Sequence, residues 1–309
     1  MKVTLTSTAA PSGTTRSITG FTLAIALTFL ATTAMAVPTV DLGTASGFSI
    51  LAGSQITDAG GGSTIVSGDV GLYPTTGAAI GLTAGQVLGG SIYQAETSGA
   101  LLNGAQNDLT TAYIDAAGRP ATVDFGVVDN QLGGQTLLPG VYRFGHAATA
   151  NLIGTLTLDA NGELNPVWIF QATSDLVTAA GAPGAAGSSV VLINGASACD
   201  VFWQVGSSAT IGTYSDFAGN IMADQSIALQ AYATLDGSAL ARIAAVTLDH
   251  NTILLADCSL ENGTGGTGGG GHSVPDSSST LLLLGSALAG LLAFGRRHFP
   301  LQNDAPAIG

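Results

Sequence analysis

Between residues 37 and 260 the apolar positions fall in many short runs rich in Val, Ile, Leu and Ala, broken by Gly, Asn and Asp. Short β-type runs at this spacing, with turn residues between them, predict an all-β domain. A disordered chain would be poor in these aliphatic residues. One segment follows a different period. Leu102, Ala105, Leu109, Ala112, Tyr113 and Ala116 are three and four residues apart, the spacing of one helical face. Gly118 and Pro120 follow as stop signals. We therefore expect a single amphipathic helix from about Gln94 to Ala117, its apolar face laid against the β structure. Two short strands are a poor alternative, because Gln106-Asn107-Asp108 is weak strand material.

The β pattern repeats. The segment Ile211–Ala223 can be laid over the segment 18 residues further on, Leu229–Ala241, so that Tyr214 meets Tyr232, Gly219 meets Gly237 and Ala223 meets Ala241. One such unit cannot bury its own apolar face, whereas stacked units can. A period near 18 fits one coil of a β-solenoid. Two earlier runs, Val167-Trp168-Ile169-Phe170-Gln171 and Val201-Phe202-Trp203-Gln204-Val205, echo it less regularly.

The ends of the chain carry a different pattern. An apolar core from Phe21 to Leu30 follows Lys2 and Arg16 and precedes Ala34-Met35-Ala36. This is a secretory signal with cleavage expected after Ala36. At the other end Val274-Pro275-Asp276 leads into an apolar run from Leu281 to Phe294 and then Arg296-Arg297. That tripartite tail resembles the PEP-CTERM class of sorting signals, in its Val-Pro-Asp variant. The resemblance implies a bacterial cell-surface or secreted protein, handed on by a membrane-embedded sorting enzyme, with residues beyond about Leu281 removed. The alternative is a membrane anchor through 281–294, although that run is shorter than the ~20 residues that usually span a bilayer. The expected organisation is a signal peptide over 1–36, a β-helix domain over 37–260 and a Gly-rich linker over 261–273. The sorting signal with its hydrophobic segment follows over 274–297, and a short tail over 298–309.

Charge narrows the partners. The folded part has no lysine and three arginines, Arg119, Arg143 and Arg242. Against them, from Val37 through Glu261, stand 18 acids, the 20 of the chain less Asp276 and Asp304, a formal balance of −15. Nucleic acid and anionic lipid are excluded as partners, because phosphate contacts need a basic footprint. The two cysteines, Cys199 and Cys258, sit in a chain routed to an oxidising compartment, and we expect them to form a disulfide.

Several segments, taken in order, resemble the ice-binding-protein-like family of bacteria and fungi. They are Val40–Ala45 with Phe48–Ala52, Gly68-Asp69-Val70-Gly71, and Leu109–Tyr113 with Ala116–Arg119. Leu138–Tyr142, the two Trp-containing runs, and Val246–Asp249 with Asn251-Thr252 complete the set. The resemblance covers nearly all of 40–257. It implies an irregular β-solenoid (β-helix) of triangular section with one long α-helix packed along its side. It also implies a flat face of short side chains whose methyls and hydroxyls hold water at near ice-like spacing. The segments that would carry the family's Thr-rich pattern read Thr213-Tyr214-Ser215-Asp216 and Ala231-Tyr232-Ala233-Thr234, each departing from it by a tyrosine. Strand alternation would put Thr213, Ser215, Ala231 and Ala233 outward and both tyrosines in the core. Thr234, Thr178, Thr247 and Thr252 would extend the rows.

Two classes of function follow. One is a secreted, surface-sorted ice-binding protein whose partner is the ice crystal surface. The other is a structural or adhesive protein of the extracellular polysaccharide matrix on the same fold. We expect no enzyme. A polysaccharide lyase would need a clustered acid site with a Lys or Arg base, and the three arginines lie in separate segments. No cofactor or metal is expected, since no His/Cys spacing fits zinc. His146 and His250 are isolated in sequence, and His250 is expected in a turn. The glycine run Gly265–Gly271 lacks the Lys-Ser/Thr ending of a phosphate loop and reads as a tether.

Overall fold

The computed structural model of the protein describes residues 37–125, 130–145, 149–256 and 258. The expected signal peptide and linker, His146 and the C-terminal sorting motif lie outside the described residues. The chain divides into two compact units, Met1–Cys258 and Ser259–Gly309, and the first is described here.

The chain winds through three parallel sheets in a fixed order, here called A, B and C. The first coil shows the scheme: Phe48–Ala52 lies in sheet A, Ile56–Asp58 in B, Ile65–Ser67 in C, and Asp69–Leu72 returns to A. The 18-residue repeat is one such turn. Ile211 pairs with Leu229 in sheet B, Asp216 with Thr234 in C, and Ile221 with Ala239 in A.

The stacking order does not follow the sequence. The first coil sits on the last one in all three sheets, with Ile50 beside Ala239, Ile56 beside Val246 and Ile65 beside Thr252. The chain must then travel the length of the solenoid before its later coils can build back toward the first. Helix α1, Ala95–Gly118, covers that distance. Its 24 residues at ~1.5 Å rise span about 36 Å. The eight gaps of nine-stranded sheet A, at ~4.8 Å each, span about 38 Å.

Sheet A is therefore buried on both sides, which is why its strands read as unbroken apolar runs. In the strand Trp168–Ala172, Trp168, Phe170 and Ala172 enter the solenoid core, while Ile169 faces α1. Tyr142, Phe170, Trp203 and Phe217 form a column of rings within that core, with centroids 5.4, 4.0 and 4.8 Å apart. Both indoles are satisfied: Trp168 Nε1 donates to Leu137 O at 3.1 Å and Trp203 Nε1 to Ala218 O at 2.9 Å. Under the helix, Leu102, Ala105, Leu109, Ala112 and Ala116 meet Leu51, Phe202, Met222 and Leu240.

Polar side chains pin α1 at both flanks. Gln171 Nε2 donates to Ala116 O at 2.7 Å and to Arg119 O at 2.8 Å, closing orphan carbonyls at the helix C-terminus. Arg242 lies 4.5 Å over the Tyr113 ring and pairs with Asp224. Cys199 and Cys258 form the expected disulfide, with Cα atoms 5.6 Å apart.

Candidate functional site

With sheet A covered by α1, sheets B and C are the open faces. Sheet B is made of three-residue strands, and in each the outer two residues are apolar or tied inward while the middle one faces solvent. The middle residues stand in one register: Thr57 beside Thr247, then Ala228, Thr210, Val177 and Asn151. Six rungs at ~4.8 Å make a ladder about 24 Å long. No member is charged or longer than Asn.

A second row runs two positions earlier. Gln55, Ala245, Ser226, Ser208 and Asp175 each offer a backbone carbonyl to the neighbouring coil, and alternation places them on the same side. Asp175 is the carboxylate of this row. The Ser208 backbone N–H, donating at 3.1 Å, holds its pKa below the usual value.

Sheet C has another chemistry. Ile65, Leu88, Val191, Ile193 and Leu254 are exposed on it. Asp216, Ala218, Thr234, Asp236, Thr252 and Leu254 line a groove of about 480 Å³. Partial desolvation raises the Asp236 carboxyl, and Thr234 Oγ1 donates to Asp216 at 2.8 Å.

The corner between sheets B and C overturns the expected site geometry. Ser215 and Ala233 are fully buried, Thr178 is nearly so, and Thr213 and Ala231 are half-buried at the corner. The tyrosines point outward: Tyr232 is 47% exposed, stacks on Tyr214 at 4.9 Å and meets His250 at a tilt at 4.9 Å. The error lies in the parity argument. Residues 212–215 are a turn, not a strand, and Tyr214, Tyr232 and His250 all have positive φ, at 53°, 62° and 54°. The phase was wrong rather than the alternation: the buried Ile211 and Phe217 are six residues apart, as are Leu229 and Leu235, so Ser215 and Ala233 keep their inward parity even across a left-handed Tyr214 or Tyr232. That conformation costs roughly 1–2 kcal/mol per bulky residue, and ring stacking returns about 0.5–1.5 kcal/mol per pair.

The buried corner residues have structural work. Thr178 Oγ1 accepts from Gly212 N at 2.7 Å, and Ser215 Oγ accepts from Ser188 N at 3.1 Å. Asn251 Nδ2 donates to Gln230 O and Ala233 O. Of the eight expected face residues, Thr247 lies on sheet B, and Thr234 and Thr252 are adjacent rungs of sheet C. Thr57, Thr210, Ala228, Val177 and Asn151 were missed. Their signal is the triplet apolar–small–apolar, as in Ala209-Thr210-Ile211, Ile227-Ala228-Leu229 and Val246-Thr247-Leu248.

Among the described residues no three His, Cys, Asp or Glu side chains cluster as a metal site, and no helix is long and apolar enough to cross a membrane.

Comparison with known proteins adds the following. The family model described as ice-binding-like matches residues 50–254, and a VPDSG-CTERM motif matches 273–298. An ice-binding protein of Nostoc sp. (strain HG1) is 39% identical over 259 residues, covering 84% of this chain and 87% of the relative. One from Flavobacterium frigoris (strain PS1) is 34% identical, covering 70% and 76%. Among solved structures, the ice-binding protein of the Antarctic ascomycete Antarctomyces psychrotrophicus is 39% identical. It superposes with a TM-score of 0.62 over 71% of this chain and 100% of its own.

Proposed function

Because the chain belongs to the ice-binding-like family, we propose that it is a secreted, surface-sorted protein that binds ice through sheet B. The observation that carries this reading is the six-rung ladder from Thr57 to Asn151. Three threonines and an alanine occupy its first four rungs. Their methyls leave water unbound while their hydroxyls, at rung spacing, fix individual waters, so ordered water is held over a ladder whose own side chains are uncharged, with Asp175 at the end of the flanking row. Adsorption needs no moving part and no chemistry, which accords with a rigid scaffold.

Sheet C is the less suitable face. Its groove is concave, and Asp216 and Asp236 would hold water in charged hydration shells rather than in a lattice. The Tyr214–Tyr232–His250 column stands at the edge between the two faces, so it borders the ladder without interrupting it.

The VPDSG-CTERM motif supports delivery to the envelope or its surroundings, with a sorting enzyme as the partner of Val274-Pro275-Asp276 and removal of residues beyond about Leu281. Thermal hysteresis and recrystallisation inhibition of the purified protein test the ice reading, and absence of both would refute it. Intact mass spectrometry of envelope material tests the processing, and peptides ending at Gly309 in most molecules would refute it.

A further inference from the structure

The place where the chain leaves the domain is set by its topology. After the strand Thr252–Leu254 of sheet C, a regular coil would continue into sheet A beside Ala239–Ala241. That position is already filled by Phe48–Ala52, with Leu51 beside Leu240. The chain is therefore turned out at the C/A edge. Leu255 N donates to Ser67 Oγ at 3.1 Å, and Ala256 packs on the core. Because each coil runs A to B to C and back to A, the C/A edge is the one that sheet B does not share.

The chain then runs sideways. Cys258 is four residues past Leu254, yet it bonds to Cys199, in the C/A corner that follows Ser189–Ile193. In sheet C that strand lies three rungs from Thr252–Leu254, beyond Thr234–Asp236 and Asp216–Ala218. Three rungs are about 14 Å, close to the full reach of four residues. The two corners crossed are tight, each turned by a positive-φ glycine, Gly219 and Gly237. The corner at Cys199 is longer and holds a short helical turn, Ala198–Asp200.

We propose that the Cys199–Cys258 bond is the attachment through which force passes between this domain and its tail. It fixes the exit on the edge that sheet B does not share, so a copy held through its Gly-rich tether is left free to turn sheet B outward. It also passes a pull on the tail into the middle coils. Without the bond, tension would fall on Thr252–Leu254, a three-residue strand on which the first coil is seated. Peeling it would remove the first coil's seat in sheet C and leave that coil held by its pairings in sheets A and B. With the bond, tension enters between Ser189–Ile193 and Val201–Val205, both five-residue strands, the second buried beneath α1. The outward presentation rests on the assignment of sheet B to ice; the load path does not.

The test uses the mature chain, residues 37–281, with a tag after Leu281, pulled through that tag against a handle at Val37. The expected result for the oxidised protein is no event before global rupture. The Cys199→Ser/Cys258→Ser double variant should add an early low-force event. Indistinguishable traces would overturn the load path, and circular dichroism of the variant at rest verifies that it is folded before pulling. For presentation, beads carrying the same chain through that tag should be captured by ice. Capture failure with a free protein that shows thermal hysteresis would overturn outward display. Failure of both would refute the ice reading instead, leaving the force traces to judge the clamp.

Discussion

Replacing Thr210 by tyrosine probes the ladder most directly. Thr210 sits between Ala228 and Val177 on sheet B, with three rungs on one side and two on the other. A ring standing on that rung interrupts a ladder of about 24 Å and leaves an unbroken stretch of three rungs, about 10 Å. Contact with a flat crystal plane should fall by more than half, and the ring should also hold the plane off the shorter neighbours. The fold should hardly notice. Thr210 is half-exposed and no side-chain hydrogen bond to it is seen, so the substitution should stay within ±0.5 kcal/mol. For a domain of this size that is a Tm shift of about 1–2 °C. Thermal hysteresis and recrystallisation inhibition should be lost or strongly reduced. Thr252→Tyr, on sheet C, is the matched control and should retain activity. Full activity in Thr210→Tyr, or equal loss in both variants, would refute the assignment of sheet B.

Three other outcomes are expected. Leu109→Ala removes a fully buried side chain between α1 and sheet A; it should cost about 2–5 kcal/mol, read as a lowered denaturation midpoint. Cys199→Ser should cost on the order of 4 kcal/mol in equilibrium stability, the chain-entropy value for a 59-residue loop, and an unchanged midpoint would contradict it. Burial raises the Asp58 carboxyl, but hydrogen bonds from Thr64, Gly60 and Gln86 outweigh it and leave the pKa lowered. Its contribution is therefore present above the unfolded value of about 4 and lost as pH falls through the folded one. Asp58→Asn should flatten the acid limb of the stability curve, and an unaltered acid limb would count against this role.

Much of this protein was legible in its sequence. Three- and four-residue spacing located the helix to within a residue at each end, because one apolar stripe must face a sheet whatever lies beyond it. The 18-residue repeat defined the coil and its register, because parallel rungs can stack only in phase. The compartment implied by the signal and tail made a bond between the two cysteines the natural expectation. What faces outward was decided by tertiary structure. Alternation needs a phase, and the assembled core supplies it: Ile211 and Phe217, six residues apart, both point inward, which leaves Tyr214 on the other side. That phase buries Ser215 and Ala233, and the candidate face is instead the row of Thr57, Thr247, Ala228 and Thr210 on sheet B. The seating of the first coil on the last is likewise absent from local sequence. It depends on α1 being as long as sheet A is wide, a match between two lengths that appears only once both are assembled.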